Sequence, residues 1–431
     1  MEILQEREKT ARLNGDKEQS TAVLKEMVDI TKTPQETVEV IRQMVRKKGQ
    51  IKDALTSMIQ YAYDKYLSLS PIEIVPHSYK EVEIIDITHA YISEQISSEG
   101  SAGKKRVKNN SHESRSKNDG SFLDFLIQLL NNVIEGRIYM EALRIFVTDA
   151  IKQIYMAEGD ASTALSYIYP VHVETFSSVS MDEIIMYQLE QLRVSILAND
   201  YEKALTVSQR MSMKQLEGHA ELVDYHLNRM LFIHIHNEEY HKIAEIFNKL
   251  RIKDEKNSKT ESIYPTLAIL FCILDIHNKE SQRTLVKNIN SKLCYNESRV
   301  LGECFTNNLL ITDTVYDLIE NIQEKYSIQN IIGHYASTIK ERVVQYNIIV
   351  VSKYYSRIEM SKIVEILKIE KDLFSEVIVE MIRKQMVFGK IGQIEGVIEF
   401  KKESRNIEEW NESINSFLEA VIKINHGMSN V

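Results

Sequence analysis

Proline and glycine are scarce enough in this chain to decide its fold class. The 431 residues include 5 Pro and 14 Gly, and no proline follows Pro265. A fold of many short strands needs tight turns, and tight turns need these residues. Their scarcity predicts long helices. The chain is 43% hydrophobic and 27% charged, the ordinary balance of a soluble globular protein with a sizeable core. The length favours more than one domain.

A phrase recurs among the helical stretches. Lys48–Leu55 reads KGQIKDAL, Glu158–Leu165 EGDASTAL, Ala198–Leu205 ANDYEKAL and Asn237–Ala244 NEEYHKIA. Each has a small or polar turn, a helix start, and an Ala near the end of the first helical turn. Aligned on Ala161, Tyr201 and Tyr240, the last three lie 40 and 39 residues apart. Leu13-Asn14-Gly15-Asp16 is a further, degenerate candidate. Periods near 40 with a turn and a small residue predict stacked helix pairs. The turn residue accepts unusual backbone geometry, the Ala permits close approach, and each pair covers its neighbour's open apolar face.

One segment breaks this pattern. Residues 97–120 hold only Ala102 and Val107 as aliphatic residues. That is too little apolar surface to offset the entropy of ordering, which predicts a flexible insert. Its Lys104, Lys105, Arg106 and Lys108 form a basic run, read as a solvated loop in preference to an import signal or an anionic-surface patch.

From about Lys340 the grammar changes. Glu341–Tyr355 places Val344, Ile348, Val351 and Tyr355 on one helical face. Ser361 is the expected N-cap of a short helix carrying Ile363, Val364 and Leu367. Asp372 is the expected N-cap of a longer one carrying Phe374, Val377, Ile378, Met381 and Ile382. Two strand-like runs follow, Val387–Ile391 and Val397–Phe400, with Gly392–Gly396 between them. Helix, helix, helix and β-hairpin is the order of a winged helix. In the tail, Ile407, Trp410, Ile414, Phe417, Val421 and Ile424 step by threes and fours, an a/d seam that asks for a second helix. The expected cover is a partner bundle; the alternative is a seam folded back on its own winged helix.

Two groups of residues resemble one known family. The first is Glu135–Tyr139 (EGRIY), the EGDASTAL phrase, Val173–Phe176 (VETF) and Tyr187–Arg193 (YQLEQLR). The second is Arg342–Ile358, ending in KYYSRI, followed by Met360-Ser361-Lys362 and the hairpin Gly389–Phe400 (GKIGQIEGVIEF). Both resemble the non-ATPase regulatory subunit 12 family of the 26S proteasome regulatory-particle lid, whose C-terminal module is the PCI domain. The corresponding subunit of the COP9 signalosome is the nearest alternative. The resemblance covers roughly residues 130–425 and implies a mainly α fold: a right-handed-type α-solenoid of TPR-like helix pairs, then a winged helix (the PCI domain), then a C-terminal helix. It divides the chain into a helical-repeat arm over 1–340, a winged-helix part over 341–402 and a bundle helix over 403–431. It implies a non-catalytic scaffold in a large hetero-oligomer, with other PCI lid subunits, the lid deubiquitinase subunit and the ATPase ring as partners. The interfaces would be the hairpin (Val387, Phe388, Val397, Ile398, Phe400), through an edge strand such as Val397–Phe400, and the tail seam from Ile407 to Ile424.

A search for chemistry returns no catalytic, cofactor-binding, metal-binding or small-molecule residues. His219, His226, His234, His236 and His241 cluster, but there is no H-E-x-x-H. His234-Ile235-His236 echoes the H-x-H of metal-dependent deubiquitinases, yet the Ser and Asp that motif needs eight and eleven residues on are Ala244 and Phe247. These histidines are expected on a solvated helix face. Gly389, Gly392 and Gly396 form no phosphate loop and read as turn residues. Three cysteines without a C-x-x-C suggest neither a disulfide framework nor a zinc knuckle, and fit a reducing compartment. A nucleic-acid role is disfavoured as well. The net charge is -9, and the candidate recognition helix Asp372–Val387 sets Arg383 and Lys384 against Asp372, Glu376 and Glu380. The start carries no apolar signal segment, and the longest apolar run, Leu267–Leu274, is too short to span a membrane. The expected location is cytoplasmic and nuclear.

Overall fold

The computed structural model describes residues 2–69, 119–216, 218–256, 262–307, 314–326, 329–367, 371–392, 395–401 and 414–418. These are mainly helical and divide into two compact units, Met1–Glu238 and Glu239–Val431. The expected insert at 97–120 lies outside the described residues except for its last two, which open a helix.

The N-terminal unit is built of helix pairs. Its helices are α1 (Glu2–Leu13), α2 (Lys17–Ile30), α3 (Pro34–Arg46), α4 (Lys52–Ser68), α5 (Asp119–Leu129), α6 (Glu141–Ala157), α7 (Ala161–Ile168), α8 (Met181–Leu197), α9 (Tyr201–Arg210), α10 (Met213–Leu216) and α11 (Ala220–His236). The recurring phrase is the turn inside a pair. Gly15, Gly159 and Asn199 adopt φ of 71°, 79° and 57°, the left-handed conformation that ends a helix. The next N–H then reaches back to the finished helix: Asp16 to the Ala11 carbonyl at 3.0 Å, Asp160 to Tyr155 at 2.9 Å and Asp200 to Ser195 at 3.0 Å. The same Asp side chains cap the new helix by accepting from Glu18 and Gln19, from Thr163, and from Lys203. One aspartate thus satisfies orphan groups on both sides of the turn. The small residues four positions on, Ser20, Ala164 and Ala204, are all fully buried, and this lets the paired helices close on each other. Ala54 of the first phrase is buried likewise.

The second unit holds α12 (Tyr240–Lys256), α13 (Tyr264–Leu274), α14 (Lys279–Ile289), α15 (Asn296–Cys304), α16 (Thr314–Tyr326) and the long α17 (Gln329–Tyr354). Helix α13 contains the run Leu267–Leu274 and is buried from Pro265 to Leu274. An all-round apolar helix must be central, and Thr266 stays compatible by hydrogen bonding to Ser298 at 2.8 Å. Arg342 on α17 donates to the Leu274 carbonyl at 2.8 Å and to Gln345 at 2.6 Å, and Gln345 also meets His277 at 2.7 Å. Burial holds the pKa of His277 below its ordinary value, so this contact is made by the neutral imidazole. These bonds pin α17 to the layer before it.

The chain then forms β1 (Arg357–Glu359), α18 (Met360–Leu367), α19 (Lys371–Arg383), β2 (Gly389–Gly392) and β3 (Val397–Phe400). The strand order is β1-β3-β2, antiparallel throughout, with Ile358 and Ile391 both opposite Ile398. Val344, Ile348, Val351, Ile358, Ile363, Phe374, Val377, Ile378, Met381, Val387, Ile398 and Phe400 share one core. That is a winged helix with a third strand that the sequence did not announce.

Several local expectations are corrected here. Helix α17 begins at Gln329, not Glu341, and ends at Tyr354, so Tyr355 lies past it and is exposed. Ser361 is inside α18 and not its cap. The helix grows straight out of β1, where the Met360 N–H bonds to the Gly396 carbonyl at 2.8 Å. Asp372 stands in the first turn of α19, after Lys371. That helix stops at Arg383, because Gln385 turns with φ of 58°.

Candidate functional site

The winged helix sorts the hairpin residues by direction. Val387, Ile398 and Phe400 are buried in its core. Phe388 is 41% exposed and Val397 is half-buried. The expectation of an edge at Val397–Phe400 is overturned: β3 is the central strand, paired with β1 on one side and β2 on the other. Ser356 and Phe388 add to this, their carbonyls accepting from the N–H groups of Phe400 (2.9 Å) and Lys401 (2.8 Å). Among the described residues the outer edges belong to β1 and β2. Arg357 on β1 reaches Glu395 at 3.1 Å and Glu399 at 3.7 Å, so that edge carries charge. Edge β2 is Gly389-Lys390-Ile391-Gly392. A Cβ on Gly389 would stand 2.8 Å from the Glu399 carbonyl oxygen, so the close strand approach there requires glycine.

Of the tail seam, Ile407, Trp410, Val421 and Ile424 lie outside the described residues. Residues 414–418 are helical, and Ile414, Phe417 and Leu418 are 44%, 69% and 50% exposed.

Helix α19 occupies the recognition-helix position. Phe374, Val377, Ile378 and Met381 point inward, while Asp372, Glu376, Val379 and Arg383 face solvent. Lys384 is paired with Glu380 at 2.6 Å, and that bond holds the Glu380 carboxyl below its usual pKa. The outward face offers phosphate no excess of positive charge.

Among the described residues no group of three or more His, Cys, Asp or Glu could hold a metal. The expected solvated histidine face is corrected: His226 and His234 are buried, with His226 Nε2 3.1 Å from the Ser208 hydroxyl. His236 stacks on Tyr201 at 3.9 Å, and His219 sits 3.1 Å from Asp182. Burial pushes the Cys272 thiol well up and the Cys294 thiol up to about 11, so both are protonated and unreactive at neutral pH.

In the N-terminal unit the YQLEQLR stretch proves to be structural. Tyr187 hydrogen bonds to Thr148 at 2.8 Å. Gln191 donates to the carbonyls of Ile168 and Val171 at 2.7 and 2.8 Å, satisfying the end of α7. Glu190 meets Lys152 at 2.9 Å and Arg193 at 2.6 Å. Sequence reading noticed this stretch only through resemblance, since its partners lie 20 to 39 residues away.

Comparison with known proteins gives two family matches. Residues 107–258 match the PSMD12/CSN4 N-terminal model and residues 307–402 match the PCI domain. The chain is 24% identical to the 26S proteasome regulatory subunit RPN5 of Saccharomyces cerevisiae, over 70% of this chain and 71% of that protein. It is 23% identical to the 26S proteasome non-ATPase regulatory subunit 12 of Dictyostelium discoideum, over 70% of each. It is 26% identical to the 26S proteasome regulatory subunit rpn501 of Schizosaccharomyces pombe, over 69% of this chain and 71% of that one.

Proposed function

We infer from its membership of the PCI-domain family, with a PSMD12/CSN4-type N-terminal region ahead of the PCI domain, that this chain is a structural subunit of the 26S proteasome regulatory-particle lid. The observation that carries this is the joint presence, in order, of both family regions in this chain, together with its similarity to relatives named as 26S proteasome regulatory subunits. On this reading the chain supports ubiquitin-dependent degradation by position alone. It is not an enzyme, and it binds no cofactor, metal or small molecule. The neighbouring lid deubiquitinase and the ATPase ring do the chemistry, in cytoplasm and nucleus. The signalosome reading is not favoured, since the relatives reported above are all proteasomal by name.

The division of labour we propose is a helical-repeat arm over 1–340, a winged-helix contact over 341–402 and a bundle helix over 403–431. The exposed Phe388, the half-buried Val397 and the outer β2 edge make the winged-helix contact, through added backbone pairing. Val387, Ile398 and Phe400 support it from inside. The tail seam joins the last helices of other PCI subunits. Exposure of Ile414 and Phe417 supports this, because a seam covered by its own chain would hide them. Phe417→Asp with Val421→Asp should prevent incorporation into the lid while the isolated chain keeps its helical circular dichroism and melting temperature. Unfolding of the isolated double variant would mean that the seam is internal core.

A further inference from the structure

A groove in the N-terminal unit lies apart from every surface considered above. It has a volume of about 740 Å³ and runs between α4, α6 and α8, with Tyr139 also lining it. Its floor is apolar: Leu143 and Tyr187 are buried, and Ile145, Val179 and Met186 are half-buried. At the rim Phe146 is 45% exposed, even though its ring packs on Tyr63 at 4.5 Å. The neighbouring Met181 is similarly open. Exposed aromatic and methionine side chains beside an apolar trough are what a docking partner covers.

The charge around the groove selects the partner. Asp149, Asp182, Glu183 and Glu190 line it, and among the described residues no lysine or arginine does. Lys152 and Arg193 stand behind, paired with Asp149 and Glu190, and Lys52 lies over the Tyr139 ring at 5.6 Å. Asp182 and Glu183, in the first turn of α8, are both exposed, with His219 3.1 Å from Asp182. A nucleic acid or an acidic segment would meet carboxylates across an apolar trough. Strand addition has no counterpart, since no strand is described in this unit. What fits three helices around an apolar floor with an acidic mouth is a fourth helix.

We propose that this groove docks an amphipathic helix of another protein, one presenting apolar side chains at i and i+4 flanked by Lys or Arg. The apolar side chains fill the space over Leu143 and Met186, and Phe146 closes over them. The cations meet Asp182 and Glu183 at the mouth, where exposed charge acts mainly on encounter rate and partner choice. This holds for the chain itself and does not rest on the lid reading.

The test uses the full-length chain and two fluorescein-labelled amphipathic peptides of about 18 residues, long enough to form a helix. One carries Leu at i and i+4 with Lys on its polar face, and the other has Glu in place of every Lys. Polarisation should show the Lys peptide binding at least about ten-fold more tightly than the Glu peptide, a difference of about 1.4 kcal/mol. Phe146→Ser and Asp182→Lys should each weaken the Lys peptide by about ten-fold. Asp182→Lys changes an exposed side chain, so its unchanged melting temperature guards against a folding artefact. Equal binding of the two peptides overturns the proposal, as does wild-type affinity in both variants. Binding that emerges only when Lys104, Lys105, Arg106 and Lys108 are replaced by Ser also overturns it, because the groove would then serve the chain's own basic run.

Discussion

Lys152 lies in the interior of the N-terminal unit, with its side chain 1% exposed. Asp149 at 2.5 Å and Glu190 at 2.9 Å make that tolerable. Lys152→Met removes one partner of Glu190 but leaves Arg193 on it at 2.6 Å, so it should cost about 1–3 kcal/mol in urea unfolding. A loss below about 1 kcal/mol would show that the cluster is solvated. Asp160 and Asp200 make a gentler case. Hydrogen bonds from Thr163 and Lys203 hold their carboxyls below the ordinary 3.8. A depressed folded pKa contributes stability above the unfolded value, and that stability is lost as pH falls through the folded one. The caps should therefore contribute about 1 kcal/mol each at pH 6. The gap between wild type and Asp160→Ala or Asp200→Ala should shrink on acidification below pH 3.8. A gap independent of pH would rule out the ionised cap. The turns were legible in the repeated phrase because a turn is a local event, but the capping role of the two aspartates was not read from it. Lys152 and Glu190 were not legible, because they are 38 residues apart and nothing in a periodic pattern says which polar groups will meet. His226 and His234 failed for the same reason: their burial depends on helices far away in sequence.

At the scale of elements, the hairpin divides into residues that hold the winged helix and residues that show outward. Ile398 is fully buried on the central strand and Phe388 is exposed before β2. Ile398→Asp should unfold the winged helix, since an unpaired buried carboxylate is costly. Phe388→Asp should leave melting unchanged and weaken assembly. If both variants melt like wild type, the core described here is wrong. Strand β3 was readable to the residue as Val397–Phe400, because branched and aromatic residues follow a turn. Strand β1 was not readable: Arg-Ile-Glu is too short for a period-two signal and directly continues a helical stretch. Missing it made the central strand look like an edge. The capping signal at Ser361 misled because strand pairing, not a local cap, starts α18, and Asp372 stands one position inside α19.

At the scale of the whole molecule, the shortage of proline and glycine foretold a mainly helical chain, and the spacing of about 40 residues foretold paired helices. The turns confirm the physical reason, with left-handed residues at Gly159, Asn199 and Glu238. The split into two compact units was not read from the sequence. The change of unit after Glu238 falls inside a phrase that reads like the two before it. Among the described residues no helix is long and apolar enough to cross a membrane, and the longest apolar run is the buried heart of α13. On the proposed reading, a helical chain of this kind acts through what it binds. The most direct measurement is therefore a mild-salt pull-down of the tagged full-length chain from its own cells, with mass spectrometry and a peptidase assay. The lid reading predicts recovery of the other lid subunits, the ATPase ring and peptidase activity. Recovery of a complex lacking ATPases and peptidase, or of nucleic acid alone, would contradict it.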